Sequence, residues 1–250
     1  MKVVRVVAVA AAAGLLAAGC GSSGSSGSSG SNGIANDSAS AIVTAAFNAL
    51  KSASSVTISG SQTKSGKTTD LNGVFFSSDD IDTTLTENGI SFQLIKVGGT
   101  DYLKAPSAYW QSQGLPSADL SKVNNVWVSV ADSVAGVGSE LSLSALAASL
   151  DKNLGTLTKG GTSTVAGQSV IAVNSSNQGT LYVATTGTAY PVEATGKPGS
   201  ANGGTLNFSN WNQGQAPTAP AGAETLAQLG LGGGSTGGTG GATGATGAPS

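Results

Sequence analysis

The sequence predicts an antiparallel α+β domain with its helices gathered on one face of the sheet. Apolar residues recur with a helical period near residues 42 and 146, and elsewhere they alternate with polar residues at a period of two. Short runs of Gly, Asn, Asp and Ser, the residues favoured in turns, separate the alternating segments. The order helix, strands, helical insertion, strands is typical of sheets that collect their helices on one side.

The first helix is predicted to begin after Asp37 or Ser38, either of which can act as its N-cap, and to end near Ser52. Its apolar residues fall on one stripe of a 3.6-residue helical wheel: Ile42, Val43, Ala46, Phe47 and Leu50. We expect this stripe to pack against the sheet.

A first group of strands follows, where the apolar period changes to two. The expected segments are Val56–Gly60, Leu71–Phe76, Ile81–Leu85, Ile90–Val97 and Asp101–Ala105. Asn88-Gly89, between two alternating runs, is a strong hairpin signal because both residues tolerate a positive φ. Pro106 ends this group because proline cannot donate a hydrogen bond to a neighbouring strand.

A helical insertion extends from Pro106 to about Leu154, and a second group of strands follows it. The insertion is expected to contain a short helix with Tyr109 and Trp110, a helical turn at Pro116–Lys122, a strand at Val126–Val130 and a helix at Ser142–Leu150 capped by Ser142. The second group of strands is expected at Thr162–Val165, Ser169–Val173, Thr180–Thr185, Tyr190–Thr195 and Thr205–Phe208.

The N-terminus has the form of an export signal. Lys2 and Arg5 precede the apolar run Val6–Ala18, which is too short to span a bilayer. Residues 16–20 (LAAGC) resemble the lipobox of bacterial lipoproteins. The resemblance implies that Cys20 carries diacylglycerol and anchors the chain to the outer, extracytoplasmic face of the cell membrane. The alternative is an ordinary secretory signal, but a lone exported cysteine favours the lipid anchor.

The composition divides the chain into four parts. Residues 1–19 are the expected signal, and residues 20–35 are the lipidated cysteine with a flexible Gly/Ser linker. Residues 36–229 are expected to form a single domain, long enough to bury a hydrophobic core. Residues 230–250, rich in Gly, Thr and Ala, are expected to be a disordered tail.

The charge argues against nucleic-acid binding, and the single cysteine excludes an intramolecular disulfide. The chain has 11 Lys and Arg against 13 Asp and Glu, so loss of Lys2 and Arg5 with the signal leaves a net charge of −4. The lysines are scattered along the sequence, and nucleic acid is therefore not an expected partner. One cysteine cannot form an intramolecular disulfide, so the domain must be stabilised by packing.

The residue types needed for catalysis are largely missing. The chain contains no histidine, the commonest general base and metal ligand, and no phosphate-binding loop, nucleophile elbow or dinucleotide fingerprint. Asp79, Asp80 and Asp82 lack the spacing of a calcium loop, and a solvated turn is the better interpretation. A lysine-activated Ser107 or Ser144 is conceivable, without support from spacing. We expect no enzymatic activity, metal or cofactor.

Several motifs along the folded part resemble one family. Their order is 104–106 (KAP), Tyr109-Trp110, 125–128 (NVWV), 179–184 (GTLYVA), 189–192 (AYPV) and 206–212 (LNFSNWN). With the lipobox, this order resembles the actinobacterial LppX/LprAFG lipoproteins, relatives in fold of the LolA/LolB lipoprotein carriers. The resemblance covers about residues 39–220. It implies a strongly curved antiparallel half-barrel with helices covering the concave face, and an apolar cavity between them for acyl chains of phospholipids or glycolipids.

The candidate cavity residues are apolar positions of the first strands and of the covering helix. They are Val56, Ile58, Val74, Phe76, Leu85, Phe92, Leu94, Leu143, Leu146 and Leu150. Tyr102, Tyr109 and Trp110 are candidates for the rim of the mouth, because amphipathic aromatic side chains suit a boundary between lipid and water. Both sets are equally compatible with an ordinary packed core.

Two classes of function remain open at this point. The first is a membrane-anchored protein that binds or transfers acyl lipids, with an unidentified envelope transporter or acceptor protein as partner. The second is a non-catalytic protein-binding or structural envelope lipoprotein with a collapsed cavity. An unfilled apolar space under the sheet would favour the first, and a space filled by the protein's own side chains would favour the second.

Overall fold

The computed structural model describes residues 30–64, 66–131, 141–197 and 203–231, and the strands among them form one sheet. The first six strands are β1 (Ser55–Lys64), β2 (Lys67–Phe76), β3 (Ile81–Glu87), β4 (Ile90–Val97), β5 (Thr100–Lys104) and β6 (Trp127–Ala131). The others are β7 (Leu157–Val165), β8 (Gln168–Ser175), β9 (Gly179–Ala184), β10 (Pro191–Gly196), β11 (Gly203–Ser209) and β12 (Glu224–Thr225). The described helices are α1 (Ala39–Ser52), α2 (Ser107–Ser112), α3 (Leu120–Val123) and α4 (Leu143–Asp151), with short 3-10 helices at Ile34–Asn36 and Ser117–Asp119.

Two antiparallel meanders make up the sheet. Strands β1 to β6 pair in sequence order, strands β7 to β11 do the same, and β11 pairs with β1 to join the two meanders. β12 pairs parallel to β6 at one edge, and β7 is the other edge. Within the described residues these edges do not pair with each other, so the sheet is open. The predicted α+β class is confirmed, and each predicted strand overlaps an observed one.

One cross-strand row runs over eight strands on a single face of the sheet. From β8 to β4 the register places in this row Val173, Leu181, Ala194, Leu206, Gly60, Leu71, Leu85 and Phe92. Side chains alternate between the two faces of a sheet, so residues two positions away along each strand share this face. We call it the inner face, because the helices pack on it, and we call the opposite face the outer face.

Helix α1 lies on the inner face beside β7 to β10. Its predicted apolar stripe is buried: Ile42, Val43, Ala46, Phe47 and Leu50. The Ser38 Oγ accepts a hydrogen bond from the Ala41 N–H (3.3 Å), so Ser38 rather than Asp37 is the N-cap. The predicted cap of α4 is also present, since the Ser142 Oγ accepts a hydrogen bond from the Ala145 N–H (3.1 Å).

The contacts of α4 indicate that the sheet is curved. At its N-terminus, the Ser144 N–H and Oγ–H donate to the Asp79 carboxylate (3.3 and 3.1 Å) in the β2–β3 turn. Just beyond its C-terminus, the Lys152 carbonyl accepts a hydrogen bond from the Gln178 side chain (2.7 Å) in the β8–β9 loop. On a flat sheet these two anchor points would lie roughly 30 Å apart, whereas α4 is about 14 Å long. The sheet therefore bends around α4 as an open half-barrel, as expected.

Strands β1 and β11 approach each other closely at Gly60, in the middle of the cross-strand row. The φ angle of Gly60 is +134°, which L side chains rarely adopt. A Cβ atom at this position would overlap the carbonyl oxygen of Thr205 on β11. The junction of the two meanders therefore requires glycine here.

The domain begins earlier than the predicted linker boundary at residue 35. Ser31 forms an isolated antiparallel bridge with Thr186, in the loop between β9 and β10. The Asn32 side chain donates hydrogen bonds to the carbonyls of Ala184 (3.0 Å) and Gly187 (3.1 Å), and Ile34 is buried. Residues 31–35 are therefore part of the domain. The predicted signal, Cys20 and the rest of the linker lie outside the described residues.

The segment after β11 continues the fold beyond the last predicted strand. The Gly214 N–H donates to the Ser55 Oγ (2.8 Å), and the chain then reaches β6 and pairs with it as β12. Leu226, Leu229 and Leu231 pack against the hydrophobic core. The predicted tail therefore begins later than residue 230, and residues 232–250 lie outside the described part.

Replacing Gly60 with alanine is expected to lower the free energy of unfolding by about 1–3 kcal/mol, because the added methyl group overlaps the β11 backbone. Urea denaturation measures this loss. The matched control is Gly161→Ala in β7, where an added Cβ meets nothing within 4 Å, and we expect a change within about 0.5 kcal/mol. Equal losses in the two variants would contradict the close approach at Gly60.

Candidate ligand-binding cavity

A cavity of about 130 Å³ lies on the inner face, between the helices and the second meander. α1 and the C-terminal end of α4 form its roof, and strands β8 to β11, with the end of β1, form its floor. Its apolar lining includes Val43, Phe47, Leu150, Leu181, Ala194 and Leu206. The β8 to β11 members of the cross-strand row, from Val173 to Leu206, all line it.

The cavity is apolar inside and polar at one end. Phe47, Val173 and Leu206, which are buried, lie deep in it. The exposed lining residues Gln62, Gln178 and Gly204 lie where β1 ends and where β9 and β11 begin. In this antiparallel sheet those positions are at the same end, and we call that end the mouth.

The lining carries no formal charge. The described lining contains no Lys, Arg, Asp or Glu. Its polar side chains are hydroxyl and amide groups, which belong to Ser61, Gln62, Thr63, Ser175, Gln178, Thr180 and Thr195. Gly179, Gly196, Gly203 and Gly204 leave backbone without side chains beside them. Such a site can hold hydrocarbon inside and hydrogen-bond an uncharged polar group at its mouth.

The size of the cavity limits what fits without rearrangement. A volume of about 130 Å³ is slightly below the roughly 150 Å³ of an engineered apolar cavity that binds benzene. It is also below the range of roughly 300–1,000 Å³ found for drug-sized ligands. The cavity therefore accommodates the end of one alkyl chain, and a whole chain requires the roof to move.

Of the ten residues predicted to line a cavity, the structure places only Leu150 there. Seven others belong to the hydrophobic core that fills the inner face of β1 to β6: Val56, Ile58, Leu85, Phe92, Leu94, Leu143 and Leu146. Val74 and Phe76 lie on the outer face, since they pair with Thr57 and Ser55 in the opposite phase to the cross-strand row. The expected space under the first meander is thus occupied by side chains.

Helix α2 fills that space with two aromatic side chains. The Tyr109 ring lies 4.4 Å from the Phe92 ring and 5.5 Å from the Trp110 ring, measured between centroids. Tyr109 and Trp110 are each only 7% exposed, so neither is at a rim. Tyr102, the third predicted rim residue, is on the outer face, where it pairs with Ile95 and Ser129. The three do not surround the mouth.

The second meander supplies the floor residues that the sequence reasoning did not select. Val173, Leu181, Ala194 and Leu206 each fall on an alternating strand, so the period of two was visible in the sequence. The signal that could have distinguished them is the glycine at the strand ends, such as Gly179 and the pair Gly203-Gly204. At Gly179 and Gly204 an added Cβ would overlap the carbonyl oxygens of Thr195 and Ser61, so these glycines mark the close approach of neighbouring strands at the mouth.

The acidic cluster of the β2–β3 turn has a structural role. Asp79 holds the N-terminus of α4 through Ser144. The Asp80 carboxylate accepts hydrogen bonds from the Gly98 N–H (3.0 Å) and the Ser78 hydroxyl (2.8 Å). The described residues contain no group of three or more His, Cys, Asp or Glu that could hold a metal ion.

The burial of Tyr109 gives a measurable dependence on pH. Burial, and to a lesser extent the negative charge of Glu87, raises the pKa of Tyr109 above its ordinary value of 10.0. The unfolded chain loses this proton at its ordinary pKa while the folded protein retains it, so the free energy of unfolding should fall as the pH rises above 10. In the Tyr109→Phe variant, the free energy of unfolding measured by urea denaturation should fall less steeply with pH. Identical pH profiles for the variant and the wild type would contradict the buried hydroxyl.

Comparison with known proteins gives a general structural likeness. No family model matches the chain, and no curated protein matches it. The crystal structure of LprF from Mycobacterium bovis is similar with 14% identity and a TM-score of 0.47, covering 74% of this chain and 97% of that one. The lipoprotein LppX from Mycobacterium tuberculosis has 17% identity and a TM-score of 0.47, covering 71% of this chain and 96% of its own.

A more distant likeness is to the MucA/MucB complex of Pseudomonas aeruginosa, with 16% identity and a TM-score of 0.34, covering 72% of this chain and 58% of that chain. LprF and LppX are names from the lipoprotein group that the sequence motifs resemble. In the described part of the chain, no helix is both long and apolar enough to span a bilayer.

Proposed function

We propose that this chain is a non-catalytic lipoprotein of the bacterial envelope that binds the acyl chain of a lipid in the cavity between α1, α4 and the second meander. Cys20 carries its lipid anchor and holds it on the outer face of the cell membrane. The observation that carries the proposal is a cavity with a buried apolar interior, a polar mouth and no charge in its described lining.

The hydrophobic effect provides the driving force for binding. Each CH₂ group removed from water contributes about 0.8 kcal/mol. The present volume of about 130 Å³ holds a short stretch of chain, about the size of benzene, and binding of this stretch is favourable without any catalytic group. A lipid headgroup stays at the mouth, where hydroxyls and amides can hydrogen-bond it.

Helix α4 is the part of the roof that we propose to move when a longer chain enters. Leu146 and Leu150 are only half-buried, and the helix is fixed by polar contacts at its two ends, to Asp79 and to Gln178. A hydrocarbon chain can replace the apolar contacts beneath the helix at little cost, because one apolar surface substitutes for another. Leu143 and Ala147 are buried in the core, so the C-terminal end of α4, which has fewer buried contacts, is the part that opens at low free energy.

The small volume also supports the rival function, a protein-binding or structural lipoprotein whose cavity stays closed. In that case the space is a packing defect rather than a binding site. Filling such a defect with a larger side chain stabilises a protein, whereas filling a binding site blocks the ligand. One substitution therefore separates the two functions.

Ala194→Trp is that substitution, because Ala194 lies in the middle of the cavity floor. We expect the chain from residue 21 onward to bind a pyrene-labelled hexadecanoic acid, measured by fluorescence. Ala194→Trp should weaken binding by about 10-fold or more, equivalent to ~1.4 kcal/mol.

The matched control is Ala172→Trp. Ala172 lies on the outer face of β8, in the same meander as Ala194, where it pairs with Tyr182 of β9. This variant adds the same side chain outside the cavity and should bind the probe as the wild type does. A wild-type chain that binds no probe, together with a more stable Ala194→Trp variant, would support the protein-binding function instead.

A further inference from the structure

We infer that the mouth end of the domain is a docking surface for an anionic lipid membrane, with Lys67, Lys152 and Lys197 as its contacts. The inference deepens the proposed function, because it assigns the surface from which the cavity exchanges its lipid. It rests on the placement of these lysines beside the mouth.

Two of the lysines lie directly against a mouth residue. The Lys152 carbonyl accepts a hydrogen bond from the Gln178 side chain (2.7 Å), and the Lys197 N–H donates to the Gln178 carbonyl (3.1 Å). Gln178 itself lines the cavity. Both lysines are exposed.

The third lysine is at the tip of the hairpin on the other side of the mouth. Lys67 begins β2 and pairs with the last residue of β1, one position beyond the lining residue Thr63. It is exposed as well. The sequence separates these three lysines by 85 and 45 residues, so the fold brings together charges that are scattered along the chain.

The charge differs between the two ends of the sheet. Among the described residues, three acidic residues lie at the mouth end: Asp151 beside Lys152, Glu87 at the end of β3, and the exposed Asp70, which pairs with the lining residue Ser61. Four lysines lie there, because Lys64, the last residue of β1, pairs with Lys67. Asp79 and Asp80, in contrast, lie in the β2–β3 turn at the opposite end, and Asp82 is the second residue of β3 there. The mouth end therefore carries one more positive than negative charge, although the chain as a whole is negative.

An anionic membrane is the partner that this arrangement fits. A lysine near an anionic bilayer strengthens binding by roughly 5-fold, and the attraction falls off within a Debye length. Because the cavity lining itself carries no charge, the lysines outside it can touch headgroups while the apolar interior opens onto the acyl region. The contact brings the mouth to the surface from which a lipid chain leaves the bilayer.

Co-sedimentation with vesicles tests this docking independently of the cavity. Every contact described above is made within residues 30–231, so the chain from residue 21 onward retains them and lacks the anchor. We expect it to bind vesicles of phosphatidylcholine with phosphatidylglycerol, to bind pure phosphatidylcholine much more weakly, and to dissociate as salt is raised. The double variant K67Q/K152Q should bind the anionic vesicles roughly 10- to 30-fold more weakly.

The matched control is Lys51→Glu, which changes the net charge by the same amount. Lys51 is exposed in the last turn of α1, where the chain leads into β1 at the end opposite the mouth. It should bind the anionic vesicles as the wild type does. Equal weakening in the two variants, or unchanged binding by K67Q/K152Q, would overturn the assignment.

Acyl-chain binding and membrane docking can be tested separately. Ala194→Trp should dock on anionic vesicles with unchanged affinity while it fails to take up the acyl probe. A wild-type chain that docks through its lysines but binds no probe would contradict the proposed function and leave the docking surface intact. A chain that binds the probe but shows no preference for anionic vesicles would overturn the docking surface alone.

Discussion

The pairing of β1 with β11 is the interaction on which the rest of the structure depends. It joins residues about 150 positions apart, with Ile58 opposite Phe208 and Gly60 opposite Leu206. Because the apolar positions of both strands meet in phase, two separate meanders acquire one continuous inner face. A shift of one residue would turn the apolar row of one meander toward solvent. The helices would then have only half a sheet to cover, and neither the core nor the cavity would be complete.

The inner face is divided into a filled half and an open half, and side-chain volume accounts for the difference. Beside the first meander, Tyr109, Trp110 and Phe92 pack closely together and are each at least nine-tenths buried. Beside the second meander the floor contains Ala194 and several glycines, and α1 and α4 do not reach down far enough to fill the space. The same cross-strand row thus passes through both the core and the cavity, and the two parts differ in the size of their side chains.

Local patterns were sufficient to predict the elements but not the position of the cavity. The alternating runs located eleven strands, and the stripe from Ile42 to Leu50 located α1, because both depend on near neighbours in the sequence. The phase of β2 was misread because Val74, Phe75 and Phe76 are consecutive apolar residues, and alternation cannot decide which of them faces inward. The half of the sheet left open depends on α2 and on long-range pairing, which no local pattern encodes. The two-residue strand β12 is too short to produce a period at all.

The bridge between Ser31 and Thr186 places Ser31 at the end of β9 that is far from the mouth. The two ends of that strand are about 23 Å apart at 3.3 Å per residue. The eleven peptide steps between Cys20 and Ser31 can cover at most ~36–40 Å. This reach exceeds the length of β9, so a molecule held by the proposed anchor at Cys20 can turn its opening toward the membrane that carries it. With fewer than about seven steps it could only point its opening outward.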